Sequence, residues 1–378
     1  MHLSQEHEMI REMVRKFALA EAAPLAKQID ETAEFPWETI KKMRGLKLLG
    51  MPFPEEWGGG GTDTLSYSIG VEEMSRVCAA TGITMAAHTS LGCYPIFDAG
   101  SEEQKKKYLI DLAGGAKLGA FGLTEPGAGS DAGATQTTAV RKGDRYVVNG
   151  TKCFITNAGV CETCVFTAMT EKNAGVRGIT SLIVEKGTPG FRPGKKENKM
   201  GVRGSDTGEL IFEDCEIPVE NRLGEEGKGF KVFLRTLDGG RISIGAMALG
   251  IAQAALDASV KYAKERKQFG RSIGHFGAIQ DMIAEMATEV EAARHLVYNA
   301  SIMKDRGESF CKEAAMAKLY ASAIAMKSSR TAVQIHGGYG YMKDYEVERY
   351  YRDAKITEIG EGTSEIQKLV IGRMILGE

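Results

Sequence analysis

The hydrophobic period changes twice along this chain, and that change limits the available folds more than any other feature. From Ile279, the apolar residues Ile283, Met286, Val290, Ala293, Val297 and Ala300 follow at spacings of four and three. Only a helix brings such a stripe onto one face, and three heptads of it predict packing in a bundle or subunit interface. Leu249, Ala252, Leu256, Val260 and Ala263 form a second stripe. Between about 119 and 225 the pattern is that of strands. Tyr146, Val147 and Val148 lead into Asn149-Gly150, and β-rich residues resume at 151–156. Asn-Gly in that position predicts a two-residue hairpin turn. Residues 164–168, 180–184 and 209–212 read as further strands, with Pro189, Pro193 and Pro218 in the connections. Before them, Leu25, Ile29, Ile40, Met43 and Leu49 recur near helical spacing, and 102–112 reads as another short helix. The expected fold class is α+β. A helical domain (1–118) precedes a central antiparallel β domain (119–225) and a helical C-terminal domain (226–378).

A chain of 378 residues can bury a core without disulfides or metals. Lys and Arg total 48 against 50 Asp and Glu, a formal net charge of −2. No basic excess or run marks a nucleic-acid binder. The seven cysteines are odd in number and scattered, which fits a reducing compartment better than a disulfide framework. Six histidines form no tight cluster, so no metal site is expected. Residues 1–13 lack the apolar core of a signal peptide, and a cytoplasmic location is the expectation. The most apolar stretch, 242–260, contains Gln253 and Asp257 and reads as a buried helix, not a membrane span.

Individual motifs each carry a bland and a functional reading. Cys161-x-x-Cys164 lacks a second pair at zinc-ribbon spacing, so these are strand cysteines. Gly127-Ala-Gly-Ser-Asp-Ala132 imitates a dinucleotide fingerprint, but Thr135, Thr137, Thr138 and Val140 suggest a strand where that motif needs a helix. The glycines still offer backbone N–H groups to an anion or cofactor. His336 precedes two glycines as either a loop histidine or a cofactor contact. Asp238 and Arg241 form an i,i+3 pair at a helix start, either a surface ion pair or a clamp on a polar ligand. Glu361 stands between Gly360 and Gly362, and Ser364-x-x-Gln367 reads as a capping box opening the last helix. Such a carboxylate is usually a surface or cap residue; desolvated, it becomes a base near neutrality.

Six segments in order resemble the acyl-CoA dehydrogenase family over essentially the whole chain. They are 121–131 (FGLTEPGAGSD), 154–157 (FITN), 265–270 (ERKQFG), 334–338 (QIHGG), 351–355 (YRDAK) and 361–365 (EGTSE). The resemblance implies a C-terminal four-helix bundle, FAD as cofactor, a homotetramer built as a dimer of dimers, and electron transfer flavoprotein as acceptor. It implies that Phe121, Leu123, Thr124, Gly129 and Ser130, with Phe154, Ile155 and Thr156, line the flavin, Thr156 near its N5. Arg266, Phe269, Gln334, Ile335, Gly337 and Gly338 would bind the partner subunit's FAD. Thr363, Ser364 and Glu365 would lie against FAD at the last helix start. Ser130, Asp238, Arg241, Gly360 and Gly362 are implied acyl-CoA contacts, and Glu361 the catalytic base. Phe154 stands where Trp is frequent, Gly277 where Gln is usual, and Gly360 where short- and medium-chain members carry Tyr. Isovaleryl-type members also have Gly at that last position, and place their base instead at a helix position matching Gly239-Gly240. Outside the motifs the likeness is greatest to short-chain, butyryl-type members.

The reaction so implied is α,β-dehydrogenation of an acyl-CoA thioester to a trans-2-enoyl-CoA. The α C–H is too weak an acid for a free carboxylate, so fixed donors must polarise the carbonyl. The family supplies them from the backbone N–H of the base and a ribityl hydroxyl. Two alternatives remain: an acyl-CoA oxidase, disfavoured because peroxisomal oxidases are much longer, and a binding or assembly protein that kept the fold without the chemistry.

Overall fold

The computed structural model describes residues 3–377. The N-terminal part is helical: α1 (Gln5–Phe17), α2 (Ala23–Thr32), α3 (Trp37–Gly45), α4 (Thr64–Val77), α5 (Ala79–Ala87), α6 (Tyr94–Ala99), α7 (Glu102–Gln104) and α8 (Ile110–Ala113). The strands follow: β1 (Gly119–Gly122), β2 (Thr138–Lys142), β3 (Arg145–Thr156), β4 (Thr163–Met169), β5 (Ile179–Glu185), β6 (Phe191–Lys196), β7 (Thr207–Pro218) and β8 (Arg222–Leu223). Helix α9 (Gly229–Glu265) opens the last part. After the short ribbon β9 (Lys267–Gln268) and β10 (Arg271–Ser272) come α10 (Gly277–Asp305), α11 (Cys311–His336), α12 (Val347–Ala354) and α13 (Ser364–Leu376).

The α+β expectation holds, with three local corrections. The sheet runs β6-β7-β3-β2-β4-β5-β8, with β1 beside β4. It is mixed and not wholly antiparallel, because β1 and the end of β2 pair with β4 in parallel. Asn149-Gly150 makes no turn. The β2–β3 hairpin closes around Gly143-Asp144, and β3 continues through 149 and 150 with a register shift against β7. Gly150 is there because a Cβ would overlap Thr137, and its φ of 151° is one that side-chain-bearing residues avoid. Asn149 exchanges hydrogen bonds with Asp214 on β7 across this bulge (3.0 and 2.8 Å). Finally, Asp238 and Arg241 lie inside α9, three turns from its start, and not at a helix beginning.

The first and last parts share one apolar core. Met286, Val290, Ala293, Val297 and Ala300 are buried, so the α10 stripe is a core seam, and it faces residues of α4, α9 and α11. By length and apolarity α9 could cross a membrane, but 78% of its most apolar window is buried among these helices. It is a core helix. The sheet has a second core around Tyr146, Phe166 and Phe212. A third cluster joins α6, α8, β1, β4, β5 and the first turns of α9 through Phe121, Val165, Ile183 and Phe233.

Charges clasp the parts together. Arg352 on α12 holds Asp30 of α2 in a fork (2.9 and 2.6 Å), bonds Glu348, and reaches the Met200 carbonyl of the β domain. Its neighbour Asp353 is buried and accepts from the Val202 N–H. The segment 351–355 therefore ties all three parts at one point. Removing one partner from a largely buried pair strands the other. Arg352→Leu is expected to lower unfolding stability by about 2–4 kcal/mol. Denaturant unfolding checks this, and a loss below 0.5 kcal/mol, on the order of a single exposed pair, would show that the clasp is idle.

Candidate active site

Glu361 sits in a turn that follows α12 and precedes α13, with φ of +55°. A glutamate in left-handed backbone is uncommon and must be held there by its surroundings. Three contacts hold it. Gly360 N–H donates to the Ile356 carbonyl (2.8 Å). The fully buried Gln367 donates through Nε2 to the carbonyls of Glu361 (3.2 Å) and Gly362 (2.9 Å). Lys318, fully buried on α11, donates through Nζ to the same Gly362 carbonyl (2.6 Å). The capping box read from the sequence is shifted by one residue. Thr363, not Ser364, caps α13 and accepts from the Ile366 N–H (3.4 Å). Gln367 then stands one position beyond the place of a capping-box partner, and its Nε2 serves the Glu361 turn while its Oε1 has no partner.

The Glu361 side chain runs into the protein. Its Oε2 is buried and has no hydrogen-bond partner. It lies against Gly240 of α9 so closely that a Cβ there would overlap Oε2, while Leu91 borders the same space. Burial pushes the Glu361 carboxyl up to about 7, although Lys318 and Arg241 act to lower it. Arg241 is itself buried, donates to Asp238 (2.7 Å), and leaves Nε without a partner. The pair is thus not a surface ion pair. Cys311 adjoins it, with Sγ 3.1 Å from Asp238 Oδ1. Gly360 has ordinary contact distance (3.4 Å to the Ile356 carbonyl) in the direction of a Cβ, so a side chain there is sterically admissible.

A second group of residues comes from the sheet. Phe154 has φ of +58°, and its ring is 65% exposed, while Ile155 beside it is buried. The loop through Leu123, Thr124, Gly129 and Ser130 is pinned from beneath by an ion pair that sequence reasoning missed. Lys152, fully buried on β3, bonds Glu125 (2.6 Å), the Leu123 carbonyl (3.1 Å) and Thr135 (3.1 Å). Glu125 also accepts from the N–H groups of Gln136 and Thr137. These bonds leave the Gly127–Ser130 tip open, with nothing within 4 Å of a Cβ at Gly129. Phe121 is buried and lies parallel to Phe233 of α9 (6.4 Å), so it supports the loop from below. An open glycine tip beside an unpartnered aromatic face suits a flat ring cofactor with polar edges.

A third group lies where the β9–β10 ribbon meets the end of α11. Phe269 is 94% exposed with φ of +50°, and Tyr341 is 80% exposed. The Arg266 guanidinium lies 5.5 Å from the Tyr339 ring centre. Gln334, Gly337 and Gly338 are exposed, whereas Ile335 faces the core. His336 ends α11, buried and stacked on Tyr262 (4.1 Å), so it is no loop residue. Gly277 starts α10 in open space. Thr363 and Ser364 are half-buried and Glu365 is exposed at the start of α13.

Residues 4–116, 120–215 and 227–376 match the N-terminal, middle and C-terminal domains of acyl-CoA dehydrogenase. The chain belongs to the acyl-CoA dehydrogenase family. It is 55% identical over 374 residues to the short-chain-specific acyl-CoA dehydrogenase of Clostridium acetobutylicum, covering 99% of each chain. Butyryl-CoA dehydrogenase from Megasphaera elsdenii superimposes with a TM-score of 0.98 at 47% identity, over 100% of this chain and 99% of that one. A chain from structural work on the electron transferring flavoprotein of Acidaminococcus fermentans and flavin-based electron bifurcation gives 0.99 at 54% identity over 100% of this chain and 99% of that one. The enzyme is an FAD-dependent oxidoreductase acting on a CH–CH bond of acyl-CoA, and the open loop at 127–130 and the Phe154 ring fit that cofactor.

The raised Glu361 pKa has a consequence for stability. Below its ordinary value the group is protonated in both folded and unfolded chains, and burial is tolerated. As pH rises through about 7 the buried group must ionise, and the favourable contribution is lost. Glu361→Gln removes that loss. The variant is expected to be more stable than the parent at pH 8 by on the order of 2 kcal/mol and nearly equal at pH 4.5. Thermal unfolding of both at the two pH values checks this; an equal gap at both would mean that the carboxylate ionises without penalty.

Proposed function

We propose that the enzyme's substrates are short straight or β-branched acyl-CoA thioesters, with Glu361 as the base and electron transfer flavoprotein as the electron acceptor. The observation that carries the base assignment is the buried, unpartnered Glu361 Oε2 against Gly240. A carboxylate with no internal partner is available to a substrate proton, and a pKa near 7 suits proton transfer at neutral pH. The turn that holds Glu361 also fixes its backbone N–H, which would polarise the thioester carbonyl and acidify the α C–H. Glu361 then removes the α proton and the product is a trans-2-enoyl-CoA. FAD, when bound, supplies the acceptor for the hydride leaving the β carbon. The residues that would hold it are those of the 123–130 loop, Phe154 to Thr156, and the Thr363 to Glu365 helix start. Asp238, Arg241, Ser130 and Gly362 would contact the acyl-CoA. Exclusion of water by Leu91, Gly240 and the surrounding helices keeps the carboxylate a strong base.

The exposed Phe269, Tyr339 and Tyr341 surface, with Arg266 and Gln334, supports a homotetramer in which one subunit completes its partner's FAD site. Large aromatics so exposed usually mark an interface. The resemblance to a chain from structural work on an electron transferring flavoprotein supports the acceptor, in preference to oxygen. Under air, peroxide release is expected to be a small fraction of flavoprotein reduction, and a release equal to substrate consumption would establish an oxidase.

Glu361→Gln keeps the size of the side chain and removes its basicity. The variant is expected to retain yellow colour and acyl-CoA binding while losing at least about a thousandfold in kcat. Anaerobic flavin bleaching by butyryl-CoA measures it directly, and substantial bleaching would assign the base elsewhere.

Gly360 is expected to shape the acyl pocket. Tyr is usual here in the short-chain branch, and its absence leaves space beside the α and β carbons. A methyl group filling apolar space contributes about 1 kcal/mol, or several-fold in specificity. Gly360→Tyr is therefore expected to lower kcat/KM for isovaleryl-CoA several-fold relative to butyryl-CoA. An unchanged ratio across butyryl-, isovaleryl-, hexanoyl- and aryl-propionyl-CoA would remove Gly360 from the pocket.

A further inference from the structure

Lys318 is a charged group near Glu361 that the reaction outlined above does not require. It is fully buried in the alanine-rich middle of α11, yet it carries an ammonium. Its bonded partner is a neutral group, the Gly362 carbonyl at 2.6 Å. A carbonyl alone is poor compensation for a buried cation, and Gln367 already serves that same oxygen at 2.9 Å. The carbonyl belongs to the residue after Glu361, in the stretch where φ is +55° at Glu361 and +98° at Gly362. A cation placed there does two things that an uncharged donor cannot do together. It ties down a turn that its own backbone torsions do not favour, and its charge acts on a carboxylate whose Oε2 has no hydrogen-bonding partner.

We propose that Lys318 is a positioning residue for the dehydrogenation: its ammonium anchors the Gly362 carbonyl, so fixing the left-handed turn that aims Glu361 past Gly240, and its charge balances the Glu361 carboxylate inside the closed site. This rests on the reading of Glu361 as the base. The charged and titratable groups around the pair come from four elements. Glu361, Glu358 and Glu365 face Lys318 from the α12–α13 connection and the start of α13, and Arg241 faces it from α9. Glu361 meets Lys318 and Arg241, and the buried Tyr67 of α4 feels its charge. Burial pulls the Lys318 ammonium down to about 8, while Glu361 and Glu358 pull it up. Arg241 repels Lys318 and is already bonded to Asp238, so it cannot replace Lys318 at the turn.

The test uses the flavin-loaded enzyme and the pH profile of kcat/KM with butyryl-CoA. Lys318→Met removes the charge and the donor. It is expected to keep flavin, to lose about tenfold or more in kcat with KM changed far less, and to move the acid limb of the profile upward by about one pH unit, because Glu361 loses the cation that most favours its ionised form. Lys318→Arg keeps the charge and is expected to leave the limb where it is. Gln367→Leu removes the other donor to the Gly362 carbonyl without touching charge, so kcat falls and the limb stays. A Met variant with an unmoved limb, or an Arg variant displaced as far as the Met variant, overturns the proposal. Should the Met variant not fold, Lys318→Gln, which keeps a donor for the carbonyl, carries the same test of charge. Glu361→Gln separates the two readings: turnover surviving in that variant sinks the base assignment, whereas its loss together with an unmoved limb in the lysine variants sinks only the role of Lys318.

Discussion

The close approach of the Glu361 turn to α9 is the constraint on which the site depends. At the contact point α9 must have no side chain, because a Cβ on Gly240 would occupy the place of the Glu361 carboxylate. That approach removes water from the carboxylate and raises its affinity for a proton. It also requires Glu361 to adopt backbone torsions that a glutamate does not prefer, so the turn needs anchors on both sides. Gln367 reaches back from α13, and Lys318 reaches across from α11. Packing, strain and basicity are here three aspects of one contact.

The same arrangement recurs at the sheet. The 123–130 loop is exposed at its glycine tip, and irregular backbone of that kind would wander without support. The buried Lys152–Glu125 pair provides it, with Glu125 also accepting backbone N–H groups from the segment leading into β2. A buried ion pair adds little to stability against an apolar alternative, but it fixes geometry when every lone pair is used. Both buried lysines thus bond the carbonyls of irregular loops, Leu123 and Gly362. The site is assembled from segments that are individually irregular and held by charges in the layer beneath.

Much of this was legible in the sequence, and what was not has physical causes. The stripe from Ile279 to Ala300 was legible because helical burial is periodic and local. Glu361 stood out because two glycines bracket it. Lys318 did not, because a lone lysine among alanines reads as one polar residue on a helix, and only the position of α13 makes it an anchor. Lys152 was hidden in the same way by the alternation of a strand. Asn149-Gly150 reads locally as a turn, but its glycine answers to Thr137, just before β2, a neighbour that the local pattern does not contain. The cap of α13 is Thr363 and not Ser364, and Gln367 beyond it bonds the Glu361 and Gly362 carbonyls through Nε2, a contact outside the capping pattern. The segment 351–355 shows no role in its sequence alone; the structure makes Arg352 and Asp353 a clasp between domains.

The family resemblance offers two chain positions for a base, one on the α9 helix at Gly239-Gly240 and one at Glu361, far apart in sequence. In space they nearly coincide, since the direction of a side chain at Gly240 ends at Glu361 Oε2. The space available to a carboxylate is therefore a property of the packed helices and not of either segment alone. A carboxylate can enter it from one wall only if the other wall is bare. This explains why Gly240 and Glu361 occur together here: the glycine is the condition for the glutamate, and a side chain at 240 would displace the Glu361 carboxylate. It also explains why the turn is anchored so heavily. On α9 a base would inherit the rigidity of a 37-residue helix, whereas at 361 that rigidity has to be supplied by Lys318 and Gln367.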